Sequence, residues 1–201
     1  MNFLQFFYEF SLWAAVSAAR HSVPPGDPLL RNRSGCAIIK DNMGYAGGFD
    51  LEVINFFESD KQEHWLAQIA ESDWSAGDLL YRFLRDGTFF DAVGDGSKML
   101  LLVDGDALIS YCTYAKLDDI RPTELSPWIG FVYTFPAYRG HRYVGLLLEH
   151  ADRLAKEEQV SEMYISTNHI GLYEKYGCAF KTLALDWEGE WSRIYVRKVK
   201  E

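Results

Sequence analysis

The sequence predicts one mixed α/β (α+β) domain over residues 49–201, preceded by an N-terminal extension over residues 1–48. Segments typical of strands and helices alternate along this domain in the order β-α-α-β-β-β-α-β-α-β-β. The chain is 48% hydrophobic and 15% aromatic, which indicates a packed globule and not a disordered chain. Residues 128–149 run from an apolar strand through a basic loop into an amphipathic helix, and this unit organises the domain.

The extension gives the weakest structural signal. Residues 2–19 are apolar and aromatic, and two interpretations stay open. One is a helix that packs on the domain or on a neighbouring subunit, and the other is a secretory signal with an A-x-A-like site at residues 16–18. No basic residue precedes the apolar run and Glu9 interrupts it, which favours the helix. Residues 22–48 are rich in Pro, Gly and Asn, which predicts a linker or an irregular wrap.

The domain begins with a strand within residues 49–57, followed by two helices. Ser59 predicts a capping box for the first helix, which continues to about Ala70. Ser75 predicts the cap of the second helix, which ends at Gly87. Two tryptophans are expected to pack these helices on the sheet: Trp65 and Trp74.

The remaining elements follow from β-branched and aromatic runs separated by turn residues. Residues 98–103 and 107–115 form a predicted hairpin with an Asp-Gly turn, and residues 117–127 are an acidic connection. The later elements are a central strand at 128–135, a helix at 143–158, a strand at 162–166, a short helix around 172–176, and a closing hairpin of 180–187 with 191–199.

The loop between the central strand and its helix contains Arg139 and Gly140. A strand that ends in a loop opening directly into a helix leaves several backbone N–H groups unpaired at the helix start. These groups and the helix dipole attract an anion, and a phosphate is the usual occupant. The sequence therefore predicts a phosphate site at this loop.

Two segments, PAYRGHRYVGLLLEHA and LYEKYGCAF, together resemble the GNAT superfamily of acyl-CoA N-acyltransferases. The first is similar to the family's CoA-pyrophosphate signature, Arg/Gln-x-x-Gly-x-Gly/Ala, and the second to its short helix with a tyrosine facing the thiolate. The match holds at Arg139 and Gly140 and departs at Arg142 and Val144, where the family has Gly and Gly/Ala. The resemblance implies a mixed, mostly antiparallel sheet that is splayed at the central strand and flanked by helices.

The resemblance also implies how CoA is held. Main-chain groups of Phe131, Val132 and Tyr133 are expected to pair with the pantetheine arm. Main-chain N–H groups of the loop are expected to hold the pyrophosphate, with Arg142 in a right-handed helical conformation and with the Arg139 and Arg142 side chains adding charge. The loop residues are Arg139, Gly140, His141, Arg142, Tyr143, Val144 and Gly145.

Tyr173 is implied as the general acid on the CoA sulfur, because a phenol with a reference pKa of about 10 is protonated at neutral pH. The alternative is a core tyrosine. His169 is a second candidate, either as a base or as a cap of the short helix. The general base stays open: Asp118, Asp119 and Glu124 are candidates by proximity alone, with solvated loop charges as the alternative. No metal site is predicted.

The net charge of the chain and its cysteine content indicate which classes of partner and which compartment are expected. The net charge is −9, and residues 49–127 contain 16 acidic and 6 basic side chains, which disfavours nucleic acid and anionic membranes and favours a cationic small molecule. The alternative is that this charge serves solubility alone. No apolar run reaches the length of a membrane-spanning helix. Three widely spaced cysteines without metal-ligand spacing predict a reducing, cytoplasmic location.

Taken with the resemblance, these features imply an N-acetyltransferase. It would move the acetyl group of acetyl-CoA to a primary amine of a cationic small molecule, by direct attack in a ternary complex. A protein N-terminus or lysine is an alternative acceptor, and a non-catalytic acyl-CoA-binding module is an alternative of a different class. The family is often dimeric, so a homodimer is a further expectation.

Overall fold

The computed structural model of this chain describes residues 50–120 and 123–199. The two interpretations of residues 2–19 and the predicted linker at 22–48 lie outside these ranges. The described strands are β1 (Leu51–Asn55), β2 (Lys98–Asp104), β3 (Ala107–Ala115), β4 (Trp128–Thr134), β5 (Glu162–Thr167), β6 (Ala179–Leu185) and β7 (Trp191–Lys198). The α-helices are α1 (Gln62–Ile69), α2 (Ser75–Arg85), α3 (Phe89–Val93) and α4 (Val144–Glu157), and short 3-10 helices lie at Phe56–Glu58, Pro136–Tyr138 and Tyr173–Tyr176.

The strands form one seven-stranded sheet in the order β1-β2-β3-β4-β5-β7-β6. All neighbouring strands are antiparallel except β4 and β5, which are parallel and pair only at Trp128 with Tyr164. Beyond that point the two strands separate. The predicted mixed, mostly antiparallel sheet with a splay at the central strand is therefore confirmed, and the predicted hairpins β2–β3 and β6–β7 both form.

Helices cover both faces of this sheet. Helix α4 buries Leu147, Leu148 and Ala151 at helical spacing, and they pack in one cluster with Cys112 and Tyr114 of β3. Residues of a strand alternate between faces, so Tyr111, which directly precedes Cys112, points to the opposite face. There the α1–α2 segment covers it, because the Tyr111 hydroxyl lies 2.8 Å from Ser72 Oγ.

The predicted helix caps are wrong. Helix α1 begins at Gln62 with Lys61 at the N-cap position, and no side chain caps it. The Ser59 hydroxyl instead accepts hydrogen bonds from the Trp65 indole N–H at 2.9 Å and from the Lys61 N–H at 3.1 Å. Ser75 is the first residue of α2, and Trp74 occupies its N-cap position.

The two tryptophans have different environments. Trp65 is 2% exposed and packs in the core, as predicted, whereas Trp74 is 37% exposed. The Trp74 ring is stacked on Tyr133 of β4, with 6.0 Å between centroids and 4° between planes. Helix α3 was not predicted, because five residues are too few to show a helical period. In residues 50–120 and 123–199, no helix has the length and apolar character needed to span a membrane.

Candidate active site

The splay between β4 and β5 leaves part of the β4 edge open. Main-chain groups of successive strand residues point to opposite edges. Tyr133 C=O accepts from the Ser110 side chain of β3 at 2.6 Å, so Tyr133 faces β3. Tyr133 therefore faces away from the β4 edge that lacks a strand partner beyond Trp128. Pairing of the pantetheine arm with Phe131 and Val132 stays a prediction.

A β-bulge lies at the start of this open edge. Tyr111 pairs with Tyr133 and Thr113 pairs with Gly130, so Phe131 and Val132 both stand opposite Cys112. Phe131 has a φ of +48°, which is unusual for a bulky residue. Its ring packs edge-on against Phe83 of α2, with 6.4 Å between centroids. The bulge therefore interrupts the pairing of β4 with β3 between Gly130 and Tyr133, shortly after the single point at which β4 pairs with β5.

The loop before α4 has unpaired donors, as the sequence predicted. The N–H groups of Gly140, His141, Arg142, Tyr143 and Val144 meet no acceptor in the described parts of the chain. The N–H of Gly145 donates to Arg142 C=O at 2.9 Å, and that of Arg139 to Pro136 C=O at 3.4 Å, so five of the seven expected donors are free. Together with the dipole of a 14-residue helix, they form a site that fits a pyrophosphate.

The expected conformation of Arg142 is wrong. Its φ is +62°, in the left-handed region that glycine adopts most easily. Its guanidinium donates to Lys175 C=O at 2.9 Å and lies 5.6 Å from the Tyr176 ring centroid. The side chain therefore joins the loop to the 3-10 helix Tyr173–Tyr176. At Gly145, a Cβ would stand 3.4 Å from the Tyr176 ring, so the loop packs closely on that helix.

Arg139 is also engaged away from the loop. Its Nε donates to Thr134 C=O at 2.9 Å, and its Nη2 lies 3.0 Å from Asp73 Oδ1. The Tyr133 hydroxyl donates to the same Asp73 oxygen at 2.5 Å. The hydrogen bond from Tyr133 is the main cause that lowers the pKa of Asp73, and Arg139 adds to it. Both guanidinium groups therefore have partners in this structure, and their contribution of charge at the loop stays a prediction. The His141 ring stacks on that of Tyr143, with 5.4 Å between the centroids.

Tyr173 lies on the 3-10 helix with its side chain 5% exposed. It packs with Leu147 of α4 and with Cys112 and Cys178. Burial raises the pKa of Tyr173 above the usual value for a phenol, and the nearby thiols add to this effect. The phenol therefore carries its proton at neutral pH. Cys112 and Cys178 are free, buried thiols, and burial raises the pKa of Cys112 to about 12, which makes it an inert core residue.

His169 stands apart from this group. It is exposed, and its N–H donates to Thr167 Oγ1 at 3.1 Å. The residue at the N-cap position of the 3-10 helix is Leu172, so the alternative that His169 caps this helix is wrong. A role as base stays a prediction. Among the acidic candidates, Asp119 and Glu124 are exposed, whereas Asp118 packs against Gly130 of β4.

Three contacts that position this site gave no signal in the sequence: Asp73 with Tyr133, Asp118 with Gly130, and Arg197 with Asp152. Each joins residues that are 12 or more positions apart, and none belongs to a recognisable motif. In the described ranges, no group of three or more His, Cys, Asp or Glu side chains is arranged to hold a metal ion.

The model of the Acetyltransferase (GNAT) family matches residues 54–178, which is more than half of the chain. The chain therefore belongs to the GNAT acetyltransferase family and is an N-acetyltransferase that uses acetyl-CoA as its donor. A comparison with curated protein sequences gives no significant match.

Solved structures show the same fold. A GNAT-family acetyltransferase from Desulfovibrio desulfuricans aligns with a TM-score of 0.56 at 14% identity, over 75% of this chain and 99% of that chain. An aminoglycoside 6'-N-acetyltransferase crystallised with coenzyme A gives 0.56 at 10% identity, over 75% and 98%. A mutant spermidine N-acetyltransferase from Vibrio cholerae gives 0.50 at 12% identity, over 74% and 93%.

Proposed function

We propose that this enzyme transfers the acetyl group of acetyl-CoA to a primary amine of a cationic small molecule, by direct attack in a ternary complex. Three observations support the proposal: the five N–H groups before α4 that have no acceptor, the β4 edge that has no strand partner beyond Trp128, and the buried phenol of Tyr173. We infer that they lie along one path. A donor held along this path would have its phosphates at the helix start and its thioester beside the bulge.

Each part of the path has a chemical task. The N–H groups of residues 140–144 bind the pyrophosphate, and the main chain of Val132 pairs with an amide of the pantetheine arm. Tyr173 donates its proton to the sulfur that leaves. In the transfer, the amine lone pair forms an N–C bond to the acyl carbon, and the C–S bond breaks with its electron pair on sulfur. The sulfur takes a proton, the nitrogen loses one, and the products are an amide and free CoA.

Charge favours a cationic acceptor. The segment that contains α1, α2 and the β3–β4 connection holds most of the excess acidic side chains, with 16 acidic and 6 basic residues in 49–127. An acidic surface raises the local concentration of cations and attracts them to the site. Two proteins of the same fold are named for cationic amine acceptors, an aminoglycoside and spermidine.

The alternative of a non-catalytic module was based on the departures at Arg142 and Val144. Both residues lie in a loop whose donors remain unpaired, and Arg142 adopts the left-handed conformation of the glycine it replaces. These observations favour a site that binds the donor.

A cytoplasmic location is supported by the free buried thiols Cys112 and Cys178. Sedimentation equilibrium would distinguish a monomer from the expected homodimer.

Thermal unfolding with and without acetyl-CoA tests donor binding, because a ligand that binds only the folded state raises Tm. We expect acetyl-CoA to raise Tm, and we expect CoA alone to raise Tm as well. Release of free thiol is then measured with polyamines, an aminoglycoside, amino acids and a lysine peptide. Turnover with the polyamines or the aminoglycoside supports the proposal. Turnover with the peptide alone would indicate that the acceptor is a protein. A Tm shift without turnover of any amine would favour the non-catalytic acyl-CoA-binding module.

A further inference from the structure

The loop between α1 and α2 is held on two tyrosines of the sheet. Tyr111 of β3 and Tyr133 of β4 are paired in register, and their rings stack with 5.2 Å between the centroids. The Ser72 hydroxyl lies 2.8 Å from that of Tyr111, and the Trp74 ring stacks on the Tyr133 ring. Between them, the Asp73 N–H donates to the Tyr133 hydroxyl at 3.1 Å. Three successive residues therefore contact this tyrosine pair and fix the position of the loop on the sheet.

Arg139 is bound to the same loop through the Asp73 carboxylate. Its Nη2 donates to Asp73 Oδ1 at 3.0 Å and its Nε donates to Thr134 C=O at 2.9 Å. The guanidinium also lies 5.5 Å from the centroid of the Tyr133 ring. The Tyr133 hydroxyl donates to the same Asp73 oxygen at 2.5 Å, so that oxygen is itself held in place. The Arg139 side chain is 51% exposed, but these contacts give it a defined direction.

These contacts leave most of the guanidinium donors available. A guanidinium has five N–H groups, and Asp73 and Thr134 use two of those of Arg139. Within residues 50–120 and 123–199, the other three donate to no acceptor. Arg139 directly precedes residues 140–144, whose main-chain N–H groups also meet no acceptor there. The cation that Asp73 orients therefore belongs to the segment whose main chain offers donors to a pyrophosphate.

A guanidinium that is held in advance favours anion binding. A free arginine side chain samples many rotamers, and a ligand that binds it must stop this motion at a cost in entropy. A side chain that is already ordered avoids that cost, and the planar guanidinium binds phosphate oxygens only in suitable orientations. Asp73 also brings a negative charge, which opposes an anion. Because this carboxylate is exposed, solvent and salt screen the repulsion, and we expect the orientation of Arg139 to have the larger effect.

We propose that Asp73 is a positioning residue for the donor: it holds Arg139 in the direction from which the three remaining N–H groups bind the pyrophosphate of CoA. The Tyr133 hydroxyl supports this role by fixing the carboxylate. The α1–α2 loop thereby contributes to donor binding, although it lies far from residues 139–145 in the sequence. The inference concerns donor binding alone, so it goes beyond the proposed transfer to a cationic amine.

Isothermal titration of the whole chain with CoA tests this role. Asp73→Ala should weaken binding by about 3–10-fold, the effect of losing one ordered hydrogen bond. Asp73→Asn keeps a side-chain oxygen in the same place and should restore most of the affinity. Asp91→Ala removes an equal charge at an exposed position of α3 and should bind CoA like the wild type. If charge alone decided the affinity, Asp73→Ala would instead bind CoA more tightly than the wild type.

A double-mutant cycle shows whether Asp73 acts through Arg139. Arg139→Gln should weaken CoA binding, and Asp73→Ala should add no further loss in that background. A merely structural role of Asp73 would cause the same loss in both backgrounds. Tyr133→Phe keeps the ring and removes the hydroxyl that fixes the carboxylate, so it should lose part of the affinity.

Wild-type affinity in Asp73→Ala or in Arg139→Gln overturns this inference, and so does a gain of affinity in Asp73→Ala or an additive loss in the cycle. If Asp73→Ala does not fold, wild-type affinity in Tyr133→Phe overturns it instead. A wild type that binds CoA and acetylates no amine overturns the proposed function alone. A wild type that binds no CoA overturns both.

Discussion

The Arg197 guanidinium of β7 donates to both carboxylate oxygens of Asp152 in α4, at 2.8 and 2.6 Å. Its remaining nitrogen donates to the C=O of Tyr176 at 2.5 Å, at the end of the 3-10 helix. Both charged residues are buried. The Arg197 side chain therefore connects helix α4, the sheet and the 3-10 helix that carries Tyr173. The Tyr195 hydroxyl of β7 donates to Glu174 at 3.0 Å and fixes the same short helix from its other side.

Asp152→Ala should destabilise the fold by about 3–5 kcal/mol, because it leaves the buried Arg197 cation without its counterion. Urea unfolding monitored by fluorescence measures this change. Asp86→Ala is the matched control, since it removes a carboxylate from the exposed pair of Asp86 with Arg85 and should have little effect. Equal midpoints for the two variants would show that the buried pair does not stabilise this structure.

Tyr173→Phe should lower kcat by about 10²-fold or more, because the leaving sulfur then lacks its proton donor. Burial raises the pKa of Tyr173, so the donor stays protonated across the neutral range and its loss should affect kcat at every pH tested. The acetyl-CoA shift in Tm should remain. Tyr176→Phe, three residues on, serves as the control and should turn over like the wild type. A Tyr173→Phe enzyme with full kcat contradicts the assignment of the acid.

The loop before α4 can be tested through the backbone of Arg142. In the left-handed region, a residue with a Cβ is strained by about 1 kcal/mol or more relative to glycine. Arg142→Gly and Arg142→Ala both lose the hydrogen bond to Lys175 C=O, so their difference in stability reports this strain, reduced by the unfolded-chain entropy that glycine adds. We expect Arg142→Gly to be the more stable variant by about 1 kcal/mol, as measured by urea unfolding.

Both Arg142 variants should also bind acetyl-CoA nearly as well as the wild type, since main-chain N–H groups form the site and the guanidinium is turned away from it. Isothermal titration with CoA measures this. A large loss of affinity in Arg142→Gly would mean that the side chain leaves Lys175 and contacts the phosphates when the donor binds.

The order of strands and helices could be predicted because each depends on local periodicity. The run of residues 128–135 and the spacing of Leu147, Leu148 and Ala151 give β4 and α4 directly. The helix starts at 62 and 75 could not be predicted exactly from the serines. The Ser59 hydroxyl accepts from the Trp65 indole and the Lys61 N–H instead of capping the first turn of α1, and Ser75 is the first residue of α2 instead of its cap. A phosphate site at residues 139–145 could be predicted from the strand–loop–helix pattern, but the directions of the Arg139 and Arg142 side chains depend on partners at Asp73 and Lys175 that no local pattern encodes.

The raised pKa of Asp118 makes a prediction about stability that is independent of catalysis. Below pH 4, near the carboxyl's unfolded pKa, Asp118 is protonated in both states and costs nothing. As the pH rises above 4, the unfolded chain releases this proton while the folded state retains it or buries a charge, so folding stability falls until the pH passes the raised pKa. Asp118→Asn removes this penalty. Its Tm should therefore exceed that of the wild type at pH 8, and the difference should shrink toward pH 4.

Scanning calorimetry between pH 4 and pH 9 measures this difference, and Glu124→Gln should show a difference from the wild type that changes little with pH. A gain in stability at pH 8 combined with lost turnover would indicate that the fold retains an unfavourable buried carboxyl because the reaction needs it, as is common at active sites. A pH-independent difference for Asp118→Asn would contradict the raised pKa and would leave Asp118 as an ordinary loop carboxylate.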